Sequence, residues 1–461
     1  MKAENKITIL NILSMVILQG IALFTTPLFT RMLGAEQYGK YSVFNSWVAI
    51  LTCIMGVGVQ SSIGTGLYEF KDKYYEFRNS VLLLGTIISG VIFLAGCFAV
   101  KFLSAYLGYN YCLISVLFLS AMSHFIINFI QGACIYEKRA ELNFVLSVTM
   151  SFIIVGLSVF LIYWFPEDRR FLGRVYGTAI PYVVFSAIMW LLFFLKKPTG
   201  IHKNYCRYGL VIGLPVVFHS LSQNILGQSD RVMMQQMGIS NTEIGIYSLF
   251  YTFTAVTSTI LSALNNSWCP FYYDDVDAKN WDKLNTKCKN YIELFSVIVV
   301  GFLLLSREVS YLLAGSEYWK GIAVIPVLVI AVYFTFMYQF PVNFEFFHRK
   351  TYIIAVGTCG AAAANIILNI ILIPVGGMYG AAFATTLSYG LLFVAHYFIV
   401  THMKEYSYHL RLSVFLPGLV AVTASVIVFY VFADVWLIRW LLGIAAGGYE
   451  INRVYKRKSV F

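Results

Sequence analysis

The segment Gly39-Lys40-Tyr41-Ser42-Val43-Phe44 recurs 206 residues later as Gly245-Ile246-Tyr247-Ser248-Leu249-Phe250. A second segment, Tyr176-Gly177-Thr178-Ala179, recurs 203 residues later as Tyr379-Gly380-Ala381-Ala382. Two repeats with nearly the same offset indicate that both halves of the chain contain the same elements in the same order. Duplicated halves that face each other across a central cavity are common in membrane transporters. The repeats therefore favour a transporter.

The composition places this chain in a lipid bilayer. Hydrophobic residues make up 59% of the sequence and charged residues 12%, with a mean hydropathy of +0.74, which exceeds the apolar share of soluble domains. A spanning helix needs roughly 20 apolar residues. Fourteen segments meet this criterion, and they begin near Ile7, Tyr41, Ser80, Tyr111, Leu142, Leu172, Tyr208, Gly245, Tyr291, Ile322, Tyr352, Met378, Leu412 and Val435. The sequence predicts an all-α polytopic membrane protein with about 14 transmembrane helices.

The basic residues predict the orientation of these helices, because Lys and Arg near helix ends are retained on the cytoplasmic side. With the N-terminus inside, 23 of the 33 Lys and Arg residues lie on the cytoplasmic side, and shifting the frame by one helix inverts the bias. Both termini are therefore expected in the cytoplasm. We interpret the net charge of +11 as attraction to an anionic inner leaflet rather than to nucleic acid. The first apolar segment lacks a convincing cleavage site and is expected to stay as the first helix.

The repeats predict the domain organisation. Residues 1–195 and 208–402 are expected to form two six-helix bundles in parallel orientation. A cytoplasmic linker, 196–207, contains a proline, a glycine and four basic residues, as expected for a hinge. Residues 403–461 add two further transmembrane helices and a basic cytoplasmic tail. The polar stretch 269–290 is interpreted as a cytoplasmic surface helix.

Motifs for soluble catalytic chemistry are missing. The sequence has no Walker motif, no phosphate-binding glycine loop and no zinc-ligand spacing. Its eight cysteines are scattered and include no CxxC pair. We therefore predict no catalytic residues, no metal and no cofactor. The driving force for transport is then an ion gradient of protons or sodium, the membrane potential, or removal of the substrate.

Two connecting segments resemble a known family. The first is Thr30-Arg31-Met32-Leu33-Gly34-Ala35-Glu36-Gln37-Tyr38-Gly39-Lys40-Tyr41-Ser42, and the second is Ser229-Asp230-Arg231-Val232-Met233-Met234 followed by Gly245-Ile246-Tyr247-Ser248. They resemble the polysaccharide-export family of lipid-linked oligosaccharide flippases (Wzx type), which belongs to the multidrug/oligosaccharidyl-lipid/polysaccharide (MOP) exporter superfamily. The similarity covers nearly the whole chain and says little about the substrate.

The resemblance implies two pseudo-symmetric six-helix bundles around a hydrophilic cavity, followed by two C-terminal helices, in a MOP/MATE-like fold. It also implies a substrate, an oligosaccharide repeat unit linked through pyrophosphate to undecaprenol, which crosses the bacterial cytoplasmic membrane for capsule, O-antigen or exopolysaccharide synthesis. Alternating access would move it, and a polymerase and glycosyltransferases of the same pathway would be partners. The lipid tail can stay in hydrocarbon while the polar head needs a wet route.

The seventh span has a polar face that could line this route. At 100° per residue, His219, Gln223 and Asp230 lie within about 40° of one another. His219 is near the middle of the membrane, where ionisable groups usually face a cavity or a partner. It could bind phosphate or sugar, or it could pack the bundles together through an interhelical hydrogen bond. The other midplane histidine, His124, has fewer polar neighbours, which favours packing.

Two arginines are further candidates for substrate binding. Arg31 and Arg231 lie near the outer ends of corresponding helices in the two halves, and a pair of guanidinium groups would suit the pyrophosphate that the resemblance implies. The alternative is that each only reaches the membrane interface or pairs with a nearby acid, Glu36 or Asp230.

Other polar residues on the spans have weaker claims. In the first span, Asn11, Ser14 and Thr25 share one arc and could line the same route. Glu345, beside three basic residues at the end of the tenth span, is interpreted as part of a structural ion pair.

Three alternatives remain open. A multidrug/cation antiporter of the same superfamily would need acidic residues deep in the spans, and the sequence shows no clear example. A lipid II flippase would differ only in the head group of its substrate. A membrane-embedded polysaccharide polymerase would be expected to carry a large outer loop, whereas the outer loops here are short.

Overall fold

The computed structural model describes residues 3–403 and 410–457, and within them the side chains from residue 25 onward. This part of the chain contains helices and turns and no β-strand. The α-helices are α1 (Ala3–Ile54), α2 (Ile63–Phe70), α3 (Tyr74–Phe98), α4 (Val100–Leu107), α5 (Tyr111–Tyr136), α6 (Ala140–Trp164), α7 (Arg170–Leu195), α8 (Lys203–Gln236), α9 (Asn241–Asp277), α10 (Trp281–Leu313), α11 (Ile325–Phe347), α12 (Thr351–Thr401), α13 (Leu416–Val431) and α14 (Trp436–Arg457). Short 3₁₀ segments occupy Met55–Ser62, Lys71–Lys73, Glu167–Arg169, Ser316–Val324 and Leu412–Val414.

Two of these helices are interrupted by a glycine. Gly34 in α1 has φ 72° and Gly377 in α12 has φ 54°, values that glycine adopts far more readily than other residues. Each of the two helices therefore consists of two segments. With these breaks, every predicted span begins within a helical segment of the structure or one residue before it. The prediction of an all-helical, polytopic protein is confirmed.

Side chains that cap helices set several of the other boundaries. Asn110 accepts a hydrogen bond from Leu113 N at 2.8 Å at the start of α5, and Ser240 accepts one from Glu243 N at 3.2 Å at the start of α9. Such caps satisfy backbone N–H groups that have no partner inside the helix. Gly238, just beyond the end of α8, has φ 77°, which suits a helix terminator.

The described part of the chain has nine helical stretches that are long and apolar enough to cross a membrane. Helices α10 and α14 are not among these nine stretches, and they pair their charges with each other. Glu308 of α10 binds Arg439 of α14, and Glu293 binds Arg453 at 2.7 Å. The two glutamates are 15 residues apart, about 22 Å along a helix. The two helices therefore run antiparallel with compensated charges, which lets them lie in apolar surroundings.

The chain divides into two compact units, Met1–Val232 and Met233–Phe461. The division falls inside α8, 25 residues beyond the predicted linker 196–207. Within the first unit, Ser46 of α1 donates a hydrogen bond to Gln228 Oε1 of α8 at 2.9 Å. Most of α8 thus packs with the helices that precede it. The six-plus-six division at 196–207 stays a prediction.

The sequence repeats coincide with matching structural features. Gly34 and Gly238 are 204 residues apart and both have positive φ. Gly177 of α7 lies against Ser158 of α6, and Gly380 lies against Leu372 within α12, so closely that a Cβ at either glycine would overlap the neighbouring backbone. In each half, glycine allows two consecutive helices to approach closely.

The prediction that residues 269–290 form a surface helix is wrong. The polar stretch is split by a turn between the end of α9 at Asp277 and the start of α10 at Trp281. Asn280 Oδ1 caps α10 by accepting a hydrogen bond from Lys283 N at 3.4 Å. Asp275 is buried and pairs with Lys287 across the turn. Acidic and basic residues meet across a helical hairpin here, which the charge pattern alone did not reveal.

The predicted orientation can be tested with a native thiol. Cys112, the second residue of α5, is exposed and lies outside in the predicted topology. We expect a membrane-impermeant maleimide to label intact cells at Cys112, and Cys112→Ser to remove the signal. Gly200→Cys, at an exposed position of the predicted cytoplasmic linker, should react only after permeabilisation. The reverse pattern would invert the topology.

Candidate functional site

A break in the helical structure forms one wall of the candidate site. Gly56, Val57 and Gly58, within the 3₁₀ segment Met55–Ser62, have φ values of 65°, 51° and 69°. Glycine adopts this left-handed conformation readily, whereas for a β-branched valine it is strained. Gly58 faces Gly213 of α8, and a Cβ at Gly58 would lie 2.5 Å from the Gly213 carbonyl oxygen. The two backbones therefore meet directly, and discontinuous helices of this kind form substrate sites in many transporters.

A cavity of about 340 Å³ lies beside this break, within the first compact unit. It is enclosed by α1, the 3₁₀ segment, α5 and α8. The lining residues are Ala49, Thr52, Cys53, Gly58, Gln60, His124, Asn128, Val216, Val217, Ser220 and Asn224. Most of these residues carry a hydroxyl, amide, imidazole or thiol group. Apart from His124, none of the lining side chains is of a type that is charged at neutral pH.

The hydrogen bonds of the lining side chains show what they offer a ligand. Thr52 donates to Val48 O at 2.7 Å, and Asn224 Nδ2 donates to Ser220 O at 3.1 Å. Gln60 Oε1 is buried and has no hydrogen-bond partner among the described residues. A buried amide oxygen without a partner is costly in apolar surroundings. The lining contains hydroxyl and amide side chains that can hydrogen-bond with the hydroxyl groups of a ligand.

His124 lies in this cavity in a fixed orientation. Its Nδ1 is 2.8 Å from Ser120 O, and its ring stacks on Tyr182 with centroids 3.6 Å apart and an interplanar angle of 14°. A carbonyl oxygen only accepts, so Nδ1 carries the proton, and in the neutral imidazole Nε2 is then the acceptor. The sequence favoured a packing role for His124, while the structure places it on the cavity wall.

The predicted polar face of α8 does not coincide with this wall. His219 and Gln223 are half-buried and are not among the lining residues of the cavity. The wall uses Ser220 and Asn224 instead, each one position further along the helix. Asp230 is fully buried. The role predicted for His219, Gln223 and Asp230 stays a prediction.

The two predicted arginines have different surroundings. Arg231 is buried, and its Nη1 donates to Gly227 O at 2.9 Å and to Gln228 Oε1 at 3.2 Å. Arg31 is exposed and lies three residues before the break at Gly34. Their proposed phosphate contacts stay predictions.

The remaining candidates lie in the first helix. Thr25 is half-buried, and the side chains of Asn11 and Ser14 lie outside the described residues. Lys40 binds Glu36 at 2.6 Å, so Glu36, the acid suggested for Arg31, has a partner one turn further along α1.

Sequence reasoning missed Asn128 and Asn224 as lining residues. Each follows another polar lining residue by four positions, as in His124 with Asn128 and Ser220 with Asn224. Such i,i+4 pairs share one helix face. This spacing was the sequence signal that could have identified Asn128 and Asn224 as lining residues.

Glu345 has a partner that the sequence did not suggest. It pairs with His396 of α12 at 2.8 Å, and both side chains are fully buried. Two carboxylates, Glu345 and Asp230, are thus enclosed in apolar helices. The expectation that no clear acid lies deep in the spans stays a prediction, because Asp230 and Glu345 lie near the ends of α8 and α11 and burial against neighbouring helices does not measure depth in the membrane. Buried acids therefore do not separate a flippase from a cation antiporter.

Comparison with solved structures identifies the fold. The chain is similar to the lipid II flippase MurJ in an inward closed conformation, with a TM-score of 0.68 and 16% identity, over 96% of this chain and 99% of that one. It is also similar to an inward-facing multidrug resistance MATE family transporter of the MOP superfamily, with a TM-score of 0.66 and 16% identity, over 88% and 95%. The fold is therefore that of the MOP transporter superfamily.

Sequence comparison then identifies the family. A family model described as "Polysaccharide biosynthesis protein" matches residues 6–272, more than half of the chain. This chain belongs to that family. It is 23% identical over 390 residues to the "Probable low-salt glycan biosynthesis flippase Agl15" of Haloferax volcanii, covering 82% of this chain and 79% of the relative. The resemblance seen in the two connecting segments is confirmed.

Proposed function

We propose that this protein is a flippase that moves a lipid-linked oligosaccharide from the cytoplasmic to the outer leaflet of the bacterial cytoplasmic membrane. The substrate would be a repeat unit linked through pyrophosphate to undecaprenol, destined for capsule, O-antigen or exopolysaccharide. Family membership and the flippase named among its relatives support this proposal. The protein would act as a transporter rather than an enzyme, with both termini in the cytoplasm.

The observation that carries the proposal is the polar cavity of the first unit. Sugar hydroxyls left unpaired in apolar surroundings cost several kcal/mol each, so a sugar head group needs hydrogen-bonding walls. Thr52, Gln60, Asn128, Ser220 and Asn224 provide such groups in helices that are otherwise apolar. The isoprenoid tail can remain in the bilayer outside the helices. Arg31 and Arg231 are kept as proposed partners of the pyrophosphate.

The first test concerns the cavity wall. Asn224→Leu removes an amide from the lining, whereas Gln223→Leu removes one from the neighbouring face that the sequence favoured. We expect Asn224→Leu to slow flipping about three- to tenfold, since each lost hydrogen bond is worth about 0.5–1.5 kcal/mol. Flipping should be measured in proteoliposomes as access of an external glycosidase to labelled lipid-linked oligosaccharide, normalised to folded protein.

The same experiment tests the alternatives. Loss of flipping in Gln223→Leu but not in Asn224→Leu would move the route to the predicted face of α8. If the wild-type protein moves lipid II but does not move lipid-linked oligosaccharides with a longer head group, the result would support a lipid II flippase. Export of cationic dyes without any flipping would support the antiporter. Elongation of the glycan during the assay would indicate a polymerase.

A genetic test addresses the partners. If the protein supplies a polymerase on the outer side, its depletion should leave single repeat units on the lipid carrier at the cytoplasmic face, made by intact glycosyltransferases. Normal surface polysaccharide after depletion would contradict the proposed function.

A further inference from the structure

A glutamate and a histidine are completely enclosed in the second compact unit. The side chains of Glu345 in α11 and His396 in α12 both have 0% exposure. His396 Nδ1 lies 2.8 Å from Oε1 and 2.8 Å from Oε2 of Glu345. His396 Nε2 is buried and has no hydrogen-bond partner among the described residues. The pair is therefore isolated from water and from other hydrogen-bonding groups of the described protein.

The charge of this pair depends on how many protons it holds. With no proton bound, the carboxylate and the neutral imidazole have a net charge of −1. One proton makes the pair neutral, whether it resides on the carboxyl or on the ring, and a second proton gives +1. A buried uncompensated charge costs several kcal/mol in a membrane protein. Enclosure therefore favours the neutral form of the pair, and proton exchange requires water to reach it.

Among the described residues, no other charged group contacts the pair. Tyr338 of α11 faces His396 edge-on, with ring centroids 5.0 Å apart, and its hydroxyl stays neutral in this setting. On the first segment of α12, Gly357 lies against His396, and a Cβ there would overlap Nε2. Along the chain, the titratable and basic residues His348, Arg349 and Lys350 follow directly after the end of α11. The pair is a neutral enclosed site with a basic rim.

We propose that Glu345 and His396 form a one-proton site that couples translocation to a proton gradient. The proton passes from a hydronium ion to the pair when the second unit opens to water on one side, leaving water behind. It returns to water as hydronium when the site opens on the other side, and no covalent bond between heavy atoms changes. The coupling role rests on the proposed flippase function, whereas the proton site itself does not.

Infrared spectroscopy of the purified protein tests the site without any substrate. Glu345→Gln keeps the size of the side chain and its ability to accept a hydrogen bond. We expect it to abolish one carboxyl signal of the wild type near neutral pH, that of a carboxylic acid if the proton resides on Glu345 or that of a carboxylate if it resides on His396. His396→Gln should shift that signal, because it removes the hydrogen-bond partner. His402→Gln changes an exposed histidine at the end of the same helix and should leave the signal unchanged. A spectrum unaltered by Glu345→Gln overturns the site.

Transport in proteoliposomes tests the coupling. An imposed pH gradient should accelerate flipping by the wild type and by His402→Gln, while Glu345→Gln and His396→Gln should bind the lipid-linked oligosaccharide and lose the response to the gradient. If the variants only yield less folded protein, with an unchanged gradient response per folded molecule, the pair is structural and the proposal fails. If the wild type shows the carboxyl signal but flips no oligosaccharide, the proposed function fails and the proton site stands.

Discussion

Replacing Arg78 by methionine is expected to remove most of the folded protein from the membrane. Arg78 at the start of α3 has 1% side-chain exposure and binds Glu137, with 4%, at 2.7 Å. Its Nη2 also donates to Phe193 O at 3.2 Å. Without Arg78, the buried Glu137 carboxylate keeps only the longer contact to the partly exposed Arg139, at 3.5 Å, and breaking a buried pair costs about 3–5 kcal/mol. This is a large part of the roughly 5–15 kcal/mol that stabilises a typical protein.

The measurement is the thermal unfolding temperature and the yield of folded protein in detergent. Arg170→Met is the matched control, because Arg170 pairs with Glu167 at the surface, where the side chains are 33% and 86% exposed, and exposed pairs contribute about 0–1 kcal/mol. The double variant Arg78→Met/Glu137→Gln should recover part of the loss, since no buried charge remains unpaired. Equal losses for Arg78→Met and Arg170→Met would show that burial does not govern this pair.

Asn79 explains why this corner of the first unit is sensitive. Its side-chain nitrogen donates to Phe193 O at 3.2 Å, a carbonyl in the last turn of α7, and to Lys197 O at 2.8 Å, just beyond the end of that helix. Carbonyls in the last turn have no partner inside the helix. Arg78 and Asn79 therefore join the start of α3 to the ends of α5 and α7. A polar network that holds three helix ends together loses more than one contact when its central residue is removed.

The fold could be predicted from the sequence because its main signals are local. Runs of apolar residues predict helices whatever those helices pack against. The repeats around Tyr41 and Tyr247 indicate a duplication even when no tertiary contact is known. The glycines at 177 and 380 carry the same information, since each permits close approach to the preceding helix. The helix interruptions at Gly34 and Gly377 lie where the sequence predicts short connections between consecutive spans.

The candidate site was harder to predict because it depends on which way each helix faces. Helical periodicity showed that His219 and Gln223 share a face, but the cavity uses Ser220 and Asn224, rotated by about 100°. The pairing of Glu345 with His396 joins residues 51 positions apart on different helices. No pattern within either helix indicates that partner. Orientation and pairing come from tertiary packing, which a single sequence does not record.

Gly213→Ala is expected to destabilise the first unit and to impair flipping. A Cβ at position 213 would lie 2.7 Å from the Gly58 carbonyl carbon and 2.7 Å from Val57 O. Both are backbone atoms of the broken segment Met55–Ser62, so they cannot swing aside as a flexible side chain would. Overpacking of this kind costs typically about 1–3 kcal/mol. It would also push the broken segment away from α8, and these two elements together line the cavity.

Gly156→Ala separates this steric effect from the general effect of glycine in a helix. Gly156 lies in α6, and a Cβ there would meet nothing within 4 Å. In an open helix position, alanine is favoured over glycine by roughly 0.5–1 kcal/mol, so Gly156→Ala should unfold at the same or a slightly higher temperature. Because Gly213 is also helical, its substitution gains the same propensity term, and any loss must come from the contact with residues 57 and 58. If Gly213→Ala matches Gly156→Ala in unfolding temperature and in flipping per folded molecule, the broken segment moves freely and its contact with α8 does not shape the cavity.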